Sequence, residues 1–235
     1  MKVTLFTHGC ETPVALAAKM CYSGKPVDGI IDRYTSQDNG EFIEHIVEIG
    51  HESPLEHVSF TFLIEGISRA CLAQLTRHRM ASYSVRSQRY VEEATPTYVI
   101  PPNIQSDPQM KEIYEKAMRS IWGTYGALAN ELEDDYIHNG MDAKSAKKKA
   151  IEDARYVLPN ACDTQLMMTI NARSLLNFFK LRCCNRAQWE IRALANEMLK
   201  QVKGVCPNIF KNAGAPCVSQ GKCDQGSMGC GRKVI

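Results

Sequence analysis

The sequence predicts a helix-rich protein of the α/β class (α+β type), with one domain built around a small mixed sheet. Short runs rich in β-branched and aromatic residues are typical of strands, and longer runs with an apolar residue every three or four positions are typical of amphipathic helices. With 235 residues, 44% of them hydrophobic and 23% charged, the chain can bury one substantial core. We expect this domain to cover residues 1–204, and a cysteine-containing C-terminal tail to cover residues 205–235.

Cap residues, prolines and glycines set the limits of the predicted elements. A proline directly follows Thr12 and Ser53, as at many helix starts, and Gly50 and Gly204 stand where a helix would end. Ser53 and Glu56 also have the spacing of a capping box, which predicts a helical turn. In chain order we predict strands over about 2–7, 58–64 and 164–170, and helices over about 12–21, 40–49, 68–76, 108–140, 142–156, 171–181 and 186–203.

Composition argues against several classes of protein. The formal net charge of +2 does not mark a chain that coats nucleic acid. No apolar run approaches the roughly 18 residues that a membrane span needs, and the N-terminus lacks the zones of a signal peptide. We therefore expect a cytoplasmic protein whose ten cysteines are reduced thiols and not five disulfides.

One segment concentrates arginine. Between Gly66 and Val91 there is no acidic residue and no lysine. The guanidinium group holds its donors in a fixed fork that suits phosphate or carboxylate, so the segment predicts a phosphorylated ligand. A solvated arginine face or a salt-bridge surface between subunits is the alternative. The arginines are Arg69, Arg77, Arg79, Arg86 and Arg89.

The spacing within this segment resembles a known signature. Arg77-His78-Arg79 is followed, after seven residues, by Ser87 and then by Gln88-Arg89-Tyr90. This string is similar to the signature of the flavin-dependent thymidylate synthases. Further segments occur in the order and spacing of that family, and together they span roughly residues 50–191: GHESPLEH at 50–57, Gln74, ARYVLP at 154–159, TINARSL at 169–175, Leu181-Arg182 and AQWEI at 187–191.

The resemblance implies an enzyme of nucleotide biosynthesis. Enzymes of this family are methyltransferases that convert dUMP to dTMP with FAD as hydride carrier, NADPH as reductant and methylenetetrahydrofolate as carbon donor. They are homotetrameric flavoproteins whose active sites are assembled at subunit interfaces. The family's domain would correspond to residues 1–204. The resemblance implies these small molecules and further copies of the chain as partners, and neither nucleic acid nor membrane.

For FAD, the resemblance implies residues from three segments. Arg173 and Asn177 are four positions apart, so they would share one helix face and reach one ligand. His51 would lie near the flavin ring, although a histidine beside a helix start is often structural. Asn171 alone could be only a helix cap. The implied set is Ser53, Arg77, His78, Arg79, Val85, Asn171, Ala172, Arg173 and Asn177.

For dUMP, the resemblance implies the second half of the signature and two separate arginines. Arg182 would be catalytic, because a cation against the uracil ring can stabilise negative charge on N3 and O4; alternatively it satisfies the last carbonyls of its own helix. Ser87 would donate to phosphate, since no Asp-His pair is placed to activate it as a nucleophile. The implied set is Gln74, Leu75, Thr76, Arg77, Val85, Arg86, Ser87, Gln88, Arg89, Arg155 and Arg182.

Two positions depart from the family pattern. Val85 stands where Glu or Gln is common, and Arg86 stands where an apolar residue is usual. The cysteine-dependent class of thymidylate synthase attacks uracil with a thiolate, but Cys183, Cys184 and Cys217 lack its Pro-Cys-His context. We therefore expect no cysteine nucleophile.

The tail and the arginines leave further alternatives. Soft ligands in a short segment could hold zinc, although their spacing is irregular and loose thiols on a flexible tail are the favoured interpretation. An arginine-rich nucleic-acid binder would use Tyr83 and Tyr90 as stacking platforms. A flavin reductase of another substrate is a third hypothesis. The zinc candidates are Cys206, Cys217, Cys223 and Cys230.

Overall fold

The computed structural model describes residues 1–232 and contains one antiparallel sheet. The N–H of Gly9 donates to the Ser59 carbonyl at 3.0 Å, and the N–H of Ala172 donates to the Val58 carbonyl at 2.8 Å. The strands that end before Gly9 and Ala172 therefore both end beside the start of the strand that follows Val58. Both run antiparallel to it. The predicted mixed sheet is wrong on this point, because residue periodicity does not encode strand direction. The strand order is β1 (Lys2–His8), β2 (Ser59–Ser68), β4 (Asp163–Asn171) and β3 (Ala81–Val85).

Helices dominate the chain, as the sequence predicts. Three predicted starts are capped by side chains: Asp107 accepts from the N–H of Met110 at 2.9 Å, and Asp142 and Asn171 cap their helices in the same way. The helices are α1 (Thr12–Tyr22), α2 (Val27–Ser36), α3 (Gly40–Glu48), α4 (Arg69–Leu75), α5 (Pro102–Gln105), α6 (Pro108–His138), α7 (Ala143–Ala154), α8 (Ala172–Arg182), α9 (Trp189–Val205), α10 (Pro207–Phe210) and α11 (Pro216–Ser219), with 3-10 helices at Ser53–His57, Arg155–Val157 and Gly226–Met228.

Some elements differ from the prediction. Helix α2 and strand β3 were not predicted, and β2 continues beyond residue 64 to Ser68. The predicted turn at Ser53 is present, but no side chain caps it, so the capping box is wrong. Helix α9 begins at Trp189 because the Gln188 side chain accepts from the backbone N–H groups of Glu190 at 2.9 Å and Ile191 at 3.2 Å.

The contact pattern divides the chain into two compact units. The first unit comprises residues 1–64, residues 74–84 and the chain from Met167 onward. Its core holds a cluster of phenylalanines, in which Phe210 lies 5.4 Å from Phe60 and 5.9 Å from Phe179, measured between ring centroids. All three are fully buried.

The predicted tail thus begins within the core of the first unit. Cys206, Ile209 and Phe210 are all fully buried. Burial of its own apolar side chains gives this stretch a fixed position. The expectation of a loose tail is wrong for residues 206–210, and the domain boundary at residue 204 stays a prediction.

The second unit comprises residues 65–73 and 85–166. Its long helix α6 packs against α7, and Tyr125 and Ile151 are buried between them. The indole of Trp122 is also buried and donates from Nε1 to the Glu93 carbonyl at 2.9 Å. No helix among residues 1–232 is both long and apolar enough to span a membrane.

Candidate functional site

A cleft of about 1160 Å³ opens in the first unit. Its walls come from four places: the end of α3 with the 3-10 helix that follows, the signature residues Arg77 to Met80, one face of α8, and the segment between Asn212 and Gln220. Helix α8 presents Arg173, Asn177 and Lys180 to the cleft, since positions i, i+4 and i+7 share a face. The cleft is therefore rich in cationic and amide groups.

The cations of the cleft differ in whether they have partners. Within residues 1–232, Arg77 and Arg79 make no ion pair, and both side chains are exposed. Arg173 instead pairs with two carboxylates, from Glu52 at 3.0 Å and from Glu56. These two guanidinium groups are thus available to an anion, as are the terminal nitrogens of Arg182, which makes no ion pair within residues 1–232.

Acidic partners from outside the arginine-rich segment neutralise some of its members. Arg86 pairs with Asp163 at 2.9 Å, and Arg89 pairs with Glu152 at 3.3 Å. Arg86 and Arg89 therefore have acidic partners from other parts of the chain. Arg77 and Arg79 have none among the described residues. The pairs of Arg86 and Arg89 could not be recognised from the sequence, because their acidic partners lie far along the chain.

His78 accepts a hydrogen bond from the candidate catalytic arginine. Nε of Arg182 lies 3.0 Å from Nε2 of His78. Arginine can only donate, so Nε2 must be the acceptor and the imidazole proton lies on Nδ1. The ring packs edge-on against Phe178 at 4.9 Å between centroids. Burial, and then the charge of Arg182, lower the pKa of His78 to about 4, so the ring is neutral near pH 7.

Tyr83 stabilises the turn that carries the signature. Its hydroxyl lies 2.8 Å from the His78 carbonyl and 3.0 Å from the Leu75 carbonyl. Burial raises the pKa of Tyr83 to about 12, which keeps this donor protonated. The tyrosine therefore holds the backbone on both sides of Arg77. Its hydroxyl faces the protein backbone, which argues against Tyr83 as a stacking platform for nucleic acid.

Arg86 points into the second unit and is not part of the cleft. Its Nη2 donates to the Asp163 carboxylate at 2.9 Å and to the Asp163 carbonyl at 3.1 Å, and lies 3.6 Å from the Glu93 carboxylate. Glu93 is only 5% exposed, and burial raises its pKa while the nearby Arg86 lowers it. Nη2 of Arg86 is thus bound by the protein, whereas its Nε is buried without a hydrogen-bond partner among the described residues, and the use of Arg86 for a nucleotide stays a prediction.

The other predicted residues are divided between the two units. Of the FAD set, Arg77, His78, Arg79, Asn171, Arg173 and Asn177 line the cleft, whereas Ser53, Val85 and Ala172 do not. Of the dUMP set, Arg77 and Arg182 line the cleft. The remaining dUMP residues do not line it: Gln74, Leu75 and Thr76 in the first unit, and Val85, Arg86, Ser87, Gln88, Arg89 and Arg155 in the second.

His51 carries an unsatisfied polar atom. Its Nδ1 is buried and has no hydrogen-bond partner within residues 1–232, and its ring meets the edge of Tyr22 at 5.5 Å. A buried nitrogen without a partner is costly, so it marks a place where a ligand group could bind. His51 itself does not line the cleft.

The cysteines do not form the sites considered from the sequence. All ten are unpaired. Burial raises the pKa of Cys183 to about 12, which disfavours a thiolate nucleophile there. Cys206 is buried and donates to the Gly9 carbonyl at 3.4 Å. Across the described residues the structure gathers no group of three or more metal ligands, so the four zinc candidates are not brought together.

Several cleft residues were missed by the sequence analysis. Lys180 lies three positions after Asn177, so the helical period could have identified it. Glu52 and Glu56 stand beside Ser53 but were assigned to the turn. Asn212 and Gln220 carry no local signal, because only the tertiary fold brings them to the cleft.

The cleft has the size and the excess of cationic over acidic side chains that suit an anionic small molecule. The family model described as thymidylate synthase complementing protein matches residues 2–208, and the chain belongs to this family. A Clostridium tetani protein named flavin-dependent thymidylate synthase is 50% identical over 232 residues, covering 99% of this chain and 93% of that protein. Proteins of the same name from Geobacter sulfurreducens and Pyrococcus furiosus are 45% and 38% identical, covering 99% and 100% of this chain and 94% and 95% of their own lengths.

The low pKa of His78 predicts a defined pH dependence. The folded-state pKa of about 4 lies below the usual 6.5, so the unfolded chain takes up the proton first as pH falls. We expect His78 to lower stability progressively between pH 6.5 and 4 and to have no such effect above this range. Side-chain NMR titration should find His78 neutral at pH 6 with its proton on Nδ1.

An Arg182→Gln variant provides the control for this titration. Burial is the larger cause of the shift, so the pKa of His78 should rise in the variant but remain below 6.5. A wild-type His78 that titrates near 6.5 would contradict the described contact.

The ion pairs of Arg86 with Asp163 and Glu93 predict a loss of stability when Arg86 is replaced. Arg86→Leu removes the bonds to Asp163 and leaves the buried Glu93 carboxylate with Arg69 as its nearby cation, so we expect the free energy of unfolding to fall by about 3 kcal/mol. Equilibrium urea unfolding measures this change. The double variant Arg86→Leu/Glu93→Gln should recover part of the loss, because the buried charge is gone. An unfolding free energy equal to that of the wild type in Arg86→Leu would disprove the structural role.

Proposed function

We propose that this protein is a flavin-dependent thymidylate synthase, which converts dUMP to dTMP. Membership of the family and the shared name of its relatives over nearly the whole chain support this activity. The carbon comes from methylenetetrahydrofolate, and NADPH supplies the reducing equivalents. The single structural observation that carries the proposal is the cleft, in which Arg77 and Arg79 have no protein partner among the described residues.

The residues of the cleft fit FAD. Its volume of about 1160 Å³ is at the upper end of small-molecule pockets, which are roughly 300–1,000 Å³. The pyrophosphate of FAD needs fixed cationic donors, and Arg77 and Arg79 supply them. Asn171, Asn177 and Arg173 would hold the rest of the cofactor, and the family resemblance adds Ser53, Val85 and Ala172.

The side chain of His78 has a positioning role in this proposal. As a neutral acceptor it fixes Nε of Arg182, which leaves the two terminal nitrogens of the guanidinium for a substrate. Had His78 been charged, it would repel Arg182. The low pKa of His78 therefore keeps Arg182 oriented throughout the neutral range.

Arg182 is the catalytic residue of the proposal. When bound, FAD supplies the hydride chemistry. Arg182 would donate hydrogen bonds to N3 and O4 of the uracil ring, where negative charge develops as C5 becomes nucleophilic. Such a donor lowers the barrier because it is already oriented before the charge appears.

The dUMP phosphate would be bound by the second half of the signature. Ser87, Gln88, Arg89 and Arg155 are the donors that the family resemblance assigns to it. Arg86 then acts on the protein side, because its bonds to Asp163 hold the backbone from which Ser87 projects. The resemblance further supports a cytoplasmic homotetramer with active sites at subunit interfaces.

Replacing Arg182 tests the proposal. Purified wild-type protein should carry or take up FAD and form dTMP only when dUMP, methylenetetrahydrofolate and NADPH are all present. We expect Arg182→Ala to keep FAD but lower the rate of dTMP formation by about 100-fold or more, as for the loss of one donor to a developing charge. Flavin absorbance and product chromatography measure the two properties.

Arg186→Ala is the matched control, because Arg186 does not line the cleft and donates to the Met228 carbonyl. This variant should form dTMP at close to the wild-type rate. Undiminished dTMP formation by Arg182→Ala would remove Arg182 from its role, and a wild-type protein that neither binds FAD nor forms dTMP would overturn the proposed function.

A further inference from the structure

Three charged residues of the cleft, Arg173, Glu52 and Glu56, are linked by hydrogen bonds. Nε of Arg173 donates to Oε2 of Glu52 at 3.0 Å, and its Nη1 donates to Oε1 of Glu56. All three side chains line the cleft and are about half exposed. The hydrogen bond to Glu56, and then that to Glu52, raise the pKa of Arg173. Nε and Nη1 of Arg173 are therefore already engaged by carboxylates.

The charge balance of this group differs from that of the signature arginines. One guanidinium faces two carboxylates, so the group carries a net charge of about −1 near pH 7. Arg77 and Arg79 have no carboxylate partner within residues 1–232. Arg182 also makes no ion pair there, and Lys180 pairs with Asp224 at 3.3 Å. Of the cations that line the cleft, Arg173 is therefore the one that carboxylates more than neutralise.

The local fold explains why both carboxylates reach Arg173. The 3-10 helix Ser53–His57 places Glu52 just before its first turn and Glu56 within it, with Pro54 and Leu55 buried beneath. Glu56 is not engaged in capping, because no side chain caps this helix. The carboxylates are thus directed to α8 and not to their own backbone.

We propose that Glu52 and Glu56 compete with the phosphate groups of the ligand for Arg173 and so set the affinity and selectivity of the cleft for anions. A phosphate that binds Nε or the engaged N–H of Nη1 must displace a carboxylate, and one that binds Nη2 meets a guanidinium whose charge the two carboxylates already offset. Small anions that lack other contacts do not compensate for this displacement, whereas a dinucleotide with many contacts does. FAD as the ligand rests on the proposed function, while the competition itself rests on the three side chains.

Neutral isosteric variants test the competition by a gain of binding. Glu52→Gln and Glu56→Gln keep the shape of each side chain and remove its charge. We expect each to tighten the Kd for inorganic pyrophosphate and for FAD by about two- to five-fold at low salt, as for loss of one exposed ion pair. The gain should shrink as salt screens the charges. Isothermal titration of the full chain freed of flavin measures both affinities, and improved binding is not a result that misfolding produces.

Glu48→Gln is the matched control, because Glu48 lines the same cleft but makes no ion pair with Arg173. It reports the general effect of removing one negative charge. A gain in Glu48→Gln equal to that in the other two variants would overturn the proposal, as would unchanged or weaker pyrophosphate binding in Glu52→Gln and Glu56→Gln.

The two ligands separate this inference from the proposed function. If the wild type binds pyrophosphate but not FAD, the proposed function fails, and the pyrophosphate series alone decides the competition. If the wild type binds FAD and the variants bind both ligands no more tightly, the competition fails while the proposed function stands.

Discussion

The balance between guanidinium groups and carboxylates in the cleft is the interaction on which the site depends. A cation that is paired within the protein stabilises the fold. It binds a ligand anion poorly, because its partner must first be displaced. Arg86 and Arg89 are paired in the second unit, and Arg173 is paired in the first. Arg77, Arg79 and Arg182 line the cleft and make no ion pair among the described residues.

The three residues at the start of the signature therefore have different physical roles. The two arginines face the cleft as unpaired charges, whereas His78 between them is half-buried and neutral. Three consecutive side chains can keep these different environments only if their backbone is held in one conformation. Tyr83 holds this backbone, since its hydroxyl contacts carbonyls before and within the signature turn. Replacing an arginine and replacing the histidine should thus have separable consequences for binding and for orientation.

Sequence patterns predicted the parts of the structure that depend on local signals. Asp107, Asp142 and Asn171 cap helices at starts that the sequence predicts, because a cap acts only within one helical turn. Strand β3 was missed although Ala81, Tyr83 and Val85 alternate with two serines, because a five-residue run is a short signal within the arginine-rich segment. The direction of the strands could not be predicted, since it depends on which distant segments pair.

The same distinction applies to the candidate site. Arg77, His78 and Arg79 were identified because their spacing is local, and the structure places all three in the cleft. The ion pair of Arg86 was not identified, because its partner Asp163 lies far along the chain. Glu56 was assigned to a cap from its spacing, and only the packing of α8 reveals its pairing with Arg173.

Titration of flavin-free protein with FAD tests the central claim most directly, when the wild type is compared with Arg77→Gln/Arg79→Gln. If these unpaired guanidinium groups bind the pyrophosphate, the double variant should bind FAD about 100-fold or more weakly, and its binding should depend less on salt. Arg33→Gln/Arg192→Gln, which removes the same charge outside the cleft, should bind nearly as the wild type does. Equal FAD affinity in both double variants would contradict the account.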